Sequence, residues 1–312
     1  MRSCSKRQAQ HNSCTLWRGL DGIAEVMGQK EVSVNVTPNG YGDAVTEVGG
    51  EAMFVKPEER RMPFDSFAAA LREPHSFNGC PYLSHQRDSL TEEFGELLDD
   101  IEPNLSFAAE AFGTEAEAVN LWIGEASFTS LHKDHFENTY CVLSGQKIFT
   151  LLPPSDVLFL YEQPYKPASY SKDLTGSQSA VPEDSDEVLW IPIGERGQPG
   201  ALHDMHLLPL LLQVALSISL FSSCFLSLFL LLDPVAPDLD KYPAYKHASP
   251  VTVEVNAGEC LYLPALWYHH VRQRGITTAV NYWHDMKFDD PKYVYYEICH
   301  KLARHLTPVM ED

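Results

Sequence analysis

Residues 129–147 read TSLHKDHFENTYCVLSGQK. His132 and Asp134 stand two positions apart in a run that otherwise reads as β-structure. Positions i and i+2 of a strand face the same side, so imidazole and carboxylate can reach one metal while Lys133 points away. A distant second histidine would complete the facial triad of two histidines and one carboxylate that holds iron(II) and leaves the opposite face open for chemistry. A His-x-Asp pair alone is weak, because it arises by chance in most chains of this length. Its meaning depends on what surrounds it.

The third ligand should come from LYLPALWYHHVRQ (261–273), where strand, proline turn and strand meet. Alternation lets only one of His269 and His270 face inward, the other being a core or surface histidine. Asp134 and His269 are 135 positions apart, or 96 without the 39 residues of 194–232. That separation suits several intervening strands of a small barrel.

The flanking sequence agrees with such a barrel. EVSVNV (31–36) alternates and closes on Thr37-Pro38-Asn39-Gly40, whose Asn-Gly is a turn signal. Residues 63–71 read as a short helix, 81–83 as a strand, and 91–102 as an acidic amphipathic helix with a solvated face. β-Structure begins at AVNLWIGE (118–125) and runs to GQKIFTLL (145–152), ended by Pro153-Pro154. Residues 155–193 read as a Pro- and Tyr-rich connection. Val251–Val255, CLYL, WYHHVR and ITTAVNYW continue as strands. Short strands separated by turn residues indicate a sandwich or barrel. The chain's last element reads as a helix: Asp290 caps it, Pro291 suits its first position, and Tyr295, Ile298, Leu302 and Leu306 share one face.

Several polar residues sit where an apolar core is expected. Lys147 lies between Gln146 and the apolar pair Ile148 and Phe149; inside a barrel it needs an anion, and at an edge it guards a sheet. Thr129 can donate a hydroxyl to the same anion or serve a turn. Asn138 and Tyr140 share a strand face. Asn281, within AVNYW, calls for a buried hydrogen-bond partner. A dicarboxylate gripped by Lys147 at one end and chelating a metal at the other satisfies these groups together.

Composition narrows the partners. With 23 Lys+Arg against 43 Asp+Glu, the formal net charge of −20 disfavours direct nucleic-acid binding and favours a basic protein segment. Seven scattered cysteines without a CxxC read as reduced thiols of a cytosolic or nuclear protein, with Cys141 and Cys260 as small core residues. Residues 1–16 are polar, carry no secretory signal, and read as disordered.

Residues 207–232 contain no charge and are long enough to span a bilayer. Aromatic belts and basic flanks are missing, and a span there would put Asp134 and His269 on opposite sides. The Leu, Phe, Ser and Pro bias matches the pyrimidine-rich tract before a splice acceptor. The reading is therefore a retained intron or splice variant over 194–232, with membrane association as the alternative.

TSLHKDHFENTYCVLSGQKIF, AGECLYLPALWYHHV and AVNYW, taken together, resemble the JmjC-domain 2-oxoglutarate oxygenases, over about residues 25–193 and 233–306. The order is His-x-Asp, then Asn, Tyr and Lys, then W-x-H-x-V, then Asn. The resemblance implies a mainly β fold, a double-stranded β-helix (the cupin or JmjC jelly roll) with flanking helices over 17–312, interrupted by 194–232. It implies iron ligands His132, Asp134 and His269, the W-x-H-x-V pattern selecting His269 over His270. It implies 2-oxoglutarate contacts from Tyr82, Thr129, Asn138, Tyr140, Lys147 and Asn281, with O2 consumed and succinate and CO2 released. The implied activity is hydroxylation of a protein lysine at C-3, with endopeptidase activity beside it, on a GTP-binding protein of the developmentally regulated class in cytoplasm and nucleus. JmjC demethylation, histone-tail cleavage, or an isoform inactivated by its insert are the competing readings. Related proteins carry a longer helical N-terminus implicated in homodimers, which residues 1–16 do not resemble.

Overall fold

A computed structural model of the protein describes residues 19–172, 178–192, 234–235 and 237–306. The segments read above as a disordered tail and an apolar insert, with Cys4, Cys14 and Cys224, lie outside the described residues. Among the described residues no helix is long and apolar enough to cross a membrane.

The chain opens with α1 (Gly19–Met27), β1 (Glu31–Thr37), β2 (Tyr41–Gly42), β3 (Ala44–Val48), β4 (Glu51–Lys56) and β5 (Glu58–Pro63). Then come α2 (Phe64–Arg72), β6 (Cys80–Leu83), α3 (Ser89–Glu93), α4 (Ser106–Phe112), β7 (Ala118–Gly124), β8 (Phe128–His132) and β9 (Phe136–Leu152). Four short strands follow, β10 (Gln163–Tyr165), β11 (Pro167–Lys172), β12 (Gln178–Pro182) and β13 (Val188–Trp190). The order closes with β14 (Val251–Asn256), β15 (Cys260–Leu263), β16 (Tyr268–Asp285) and α5 (Pro291–Leu306).

Two long bent strands organise the sheet. The first half of β9 pairs with β15 and with the second half of β16; its second half pairs with β14 and the first half of β16. β16 in turn gives its first half to β8 and its second to β7. The result is two curled layers, β15-β9-β16-β7-β6-β1-β5 and β14-β9-β16-β8-β2, sharing the same two strands. Gly145 makes the bend in β9 at φ +75°, where a Cβ would lie 2.4 Å from Thr277 Oγ1. This is the double-stranded β-helix expected from the sequence.

The inner faces of both layers meet in one core, with Trp122, Tyr140, Phe149, Leu151, Val271 and Ala279 among its members. The outer face of the first layer is covered by helices. Leu20, Ile23 and Met27 of α1 and Phe64, Phe67, Ala68 and Leu71 of α2 follow helical spacing and pack on Val32, Val34, Val36, Leu121 and Ile123. Each such side chain contributes about 1.5–3 kcal/mol on burial.

Four expectations change. Residues 91–102 are not one helix: α3 ends at Glu93, a 3-10 turn spans Gly95–Leu97, and Leu90, Phe94 and Leu97 are buried in the core. The connection 155–193 carries a 3-10 segment and four strands. α5 is capped by Asp290, whose Oδ1 accepts the Lys292 N–H at 2.8 Å, but its buried face is one residue over. Tyr296, Cys299 and Ala303 pack inward, and Tyr295, Ile298 and Leu302 are 57%, 62% and 50% exposed. Lastly, Cys141 and Cys260 stand opposite in register on β9 and β15 and form a disulfide, so they are not free core thiols.

Candidate metal and cosubstrate site

His132 ends β8 and lies opposite His269 near the start of β16. Asp134 is not on the strand. It sits in the three-residue link to β9, because the chain must cross there from the second layer to the first. The Asp134 carbonyl accepts the Leu266 N–H at 2.8 Å, which ties this link to the proline turn before β16. Its carboxylate then faces both rings, 3.8 Å from His132 Nε2 and 3.6 Å from His269 Nε2. The three ligand atoms lie within 4.8 Å of one another.

Both rings are oriented in the same way. His132 Nδ1 contacts the Ser130 carbonyl at 2.8 Å, and His269 Nδ1 the Trp267 carbonyl at 3.1 Å, each two residues upstream. A carbonyl only accepts, so Nδ1 carries the proton and the Nε2 lone pair points to the shared centre. Burial, and then the neighbouring His132 against the opposing pull of Asp134, bring His269 down to about 4, so it is a neutral donor at physiological pH. Trp190 stacks on His132 at 5.9 Å and 9°, and its Nε1 donates to Ser130 Oγ at 3.1 Å. Two imidazoles and one carboxylate on one face fit iron(II).

His270 points to the other side of the sheet, opposite Thr150, fully buried with both ring nitrogens unpartnered. Burial, with Arg272 beside it, lowers it to about 3, so it stays neutral. The structure thus separates the two histidines.

A cleft of about 360 Å³, open to solvent, meets the triad. Tyr82, Thr129, Asn138, Tyr140 and Asn281 line it, with Phe149, Leu263 and Val271 as apolar wall. Asn281 has two partners: its Oδ1 accepts Trp122 Nε1–H at 2.9 Å and its Nδ2 donates to Asn138 Oδ1 at 3.2 Å. The Tyr82 hydroxyl bonds Thr129 and Tyr140, and burial pushes both tyrosines above their usual range.

Lys147 does not line the cleft but touches its wall. Its ammonium donates to Tyr82 Oη at 3.1 Å and to Gln273 Oε1. The side chain is 1% exposed, no carboxylate of the described residues pairs with it, and burial alone lowers it to about 7. A buried cation held only by neutral groups is a site that lacks an anion, and this fits the distal carboxylate of 2-oxoglutarate. Sequence reading missed Trp122, Trp190 and Gln273. Gln273 lies directly opposite Lys147 in the β9–β16 register, a pairing that no local sequence pattern signals.

This fold and this constellation define an oxygenase class, and comparison agrees. The cupin-like domain family matches residues 6–290, and the chain belongs to that family in its JmjC form, a family of 2-oxoglutarate oxygenases. It is 38% identical over 306 residues to the human bifunctional peptidase and (3S)-lysyl hydroxylase JMJD7, covering 97% of this chain and 83% of the relative. It is 33% identical to the Arabidopsis thaliana lysine-specific demethylase JMJ32 (95% and 79% covered) and 33% identical to JmjC domain-containing protein E of Dictyostelium discoideum (91% and 78%).

Proposed function

We propose that this chain is an Fe(II)- and 2-oxoglutarate-dependent protein hydroxylase acting at C-3 of a lysine, with His132, Asp134 and His269 holding the iron. The observation that carries it is two Nε2 lone pairs and a carboxylate converging beside a buried lysine that has no counter-anion. When bound, iron and 2-oxoglutarate supply an oxidative decarboxylation that consumes O2, releases succinate and CO2, and delivers one oxygen atom to a substrate carbon.

The chain's own residues bind and orient. Lys147, with the hydroxyls of Tyr82, Thr129 and Tyr140, receives the distal carboxylate. The Trp122–Asn281–Asn138 chain holds the cleft floor in one arrangement. Phe149, Leu263 and Val271 keep the pocket poor in water. Ser130 and Trp267 carbonyls hold the Nδ1 protons, so neither imidazole turns away from the metal.

The substrate in this reading is a lysine in a GTP-binding protein of the developmentally regulated class, met in cytoplasm or nucleus, and the net charge of −20 favours a basic target. Residues 17–312 form one domain interrupted by 194–232. That division is supported by Ile191, before the segment, sharing a cluster with Tyr242 and Tyr245 after it. Tyr245 Oη also donates to the Pro234 carbonyl at 3.0 Å.

The test is mass spectrometry of peptides tiled across such a GTP-binding protein after incubation with the full chain, iron(II) and 2-oxoglutarate. One oxygen gained on lysine, coupled to succinate, is expected, and Asp134→Ala should abolish both. Continued coupled turnover by that variant removes the metal assignment. The demethylase reading, favoured by the Arabidopsis relative's name, gives loss of methyl instead, and peptidase action gives chain cleavage. Running the chain with and without 194–232 separates an isoform silenced or drawn to membranes by its insert.

A further inference from the structure

Past Thr129 the cleft continues into a second pocket of about 410 Å³, with Tyr82, Gln86, Trp122 and Thr129 as the shared wall. Asp43 lies on this second wall. It is the residue between β2 and β3, in the left-handed region at φ +52°. Ser130 Oγ donates to its backbone carbonyl, so its position is tied to the strand that carries Thr129 and His132. Non-glycine residues in that conformation persist where the surroundings hold them, and they concentrate at functional sites.

The carboxylate of Asp43 is free. Among the described residues it accepts no hydrogen bond and pairs with no cation. Of the two basic groups acting on it, His132 belongs to the triad and Lys56 is committed to Glu183 at 2.7 Å. Burial raises its pKa, with His132 and Lys56 opposing, as befits a carboxylate lacking a direct partner. Asp43 and Asp134 are the two carboxylates that line the cleft and its extension, and no Lys or Arg lines either. Asp134 faces the two histidines, which leaves Asp43 as the negative group of the second pocket. Phe128, stacked on Tyr41 at 4.8 Å, and Trp122 supply apolar surface in the second pocket.

We propose that Asp43 receives the ε-ammonium of the target lysine and thereby sets the enzyme's preference for lysine, an inference that rests on the lysyl hydroxylase reading above. A lysine presenting C-3 to the metal extends three further methylenes before its charge, so its counter-charge must stand about a side chain's length from the triad, and Asp43 is tied to the strand that carries His132. The methylenes need an apolar lane and the ammonium an anion at its end. The second pocket offers both.

The experiment uses the full chain and the tiled peptides of the preceding test, each acceptor peptide being paired with a copy carrying norleucine in place of lysine. Norleucine keeps the carbon chain and lacks the ammonium. Wild-type protein should prefer lysine over norleucine by about 30-fold or more in kcat/KM, because a buried carboxylate would otherwise stay unpaired. In Asp43→Asn that ratio should collapse to about threefold or less, through loss on the lysine peptide. The ratio is read within one preparation, so a lower folded fraction cancels, and Asp43→Ser serves as a second variant. Equal use of norleucine by the wild type, or a wild-type ratio retained in both variants, overturns the Asp43 assignment and leaves lysyl hydroxylation standing. Absence of oxygen on any lysine overturns the hydroxylase reading, and this inference with it.

Discussion

Replacing Lys147 by Met should make the ligand-free protein more stable at neutral pH, although it removes the buried cation that would meet an anion in the cleft. Lys147 is 1% exposed, and its ammonium rests on Tyr82 and Gln273 without a carboxylate. Burial lowers its pKa from 10.5 to about 7. The unfolded chain therefore binds this proton more tightly than the folded one between pH 7 and 10.5. Stability tied to this group rises with pH across that window. The full difference corresponds to about 5 kcal/mol below pH 7 as an upper bound, since water penetration and relaxation reduce it. Met fills nearly the same volume without a charge. Urea denaturation of both proteins from pH 6 to 9 should show Lys147→Met more stable by about 2–4 kcal/mol at pH 7, the gap closing as pH rises. Adding 2-oxoglutarate should stabilise wild type at pH 7 and leave the variant unmoved. A variant less stable than wild type at pH 7, or a gap independent of pH, would refute the argument that burial without an anion governs this lysine.

Asn281→Ala leaves Trp122 Nε1 and Asn138 buried without partners and should cost about 2–4 kcal/mol in urea denaturation. Gly40→Ala puts a Cβ 2.2 Å from the Ala126 carbonyl oxygen at φ +86° and should cost about 3 kcal/mol or more, seen as a lowered Tm. Glu137 is pushed up by burial, but the bonds from Lys292, Tyr262 and the Ala265 N–H outweigh that and hold it below its ordinary value. Glu137→Gln should therefore cost about 1–2 kcal/mol at pH 7, a loss that disappears as pH falls below the usual glutamate range and wild type surrenders the same advantage. A pH-independent loss in chemical denaturation would contradict that account.

Local chemistry made much of this protein legible from its residues. Alternation in EVSVNV, the strand opening at AVNLWIGE, the Asn-Gly turn at 39–40, and the Asp290-Pro291 cap all act over a few residues, and all appear as read. The spacing of His132, Asp134 and His269 likewise needs only the order of strands and turns. Long-range pairing decided the rest. Counting alternate positions onward from Tyr140 puts Lys147 on the outer face, and only the bend at Gly145 turns it back toward Tyr82 and Gln273. That bend exists because β9 must serve two layers, which no local period records. The buried face of α5 was likewise settled by what it meets: Tyr296 reaches Tyr268, and the Tyr295 stripe is left outside. Asp134 reaches its place through a link pinned to the 264–267 turn, and Cys141 meets Cys260 through strand register. Residue types and their order thus determined which chemistry the chain carries. Register, bends and layer crossings, set by contacts far apart in sequence, decided which side chains face it.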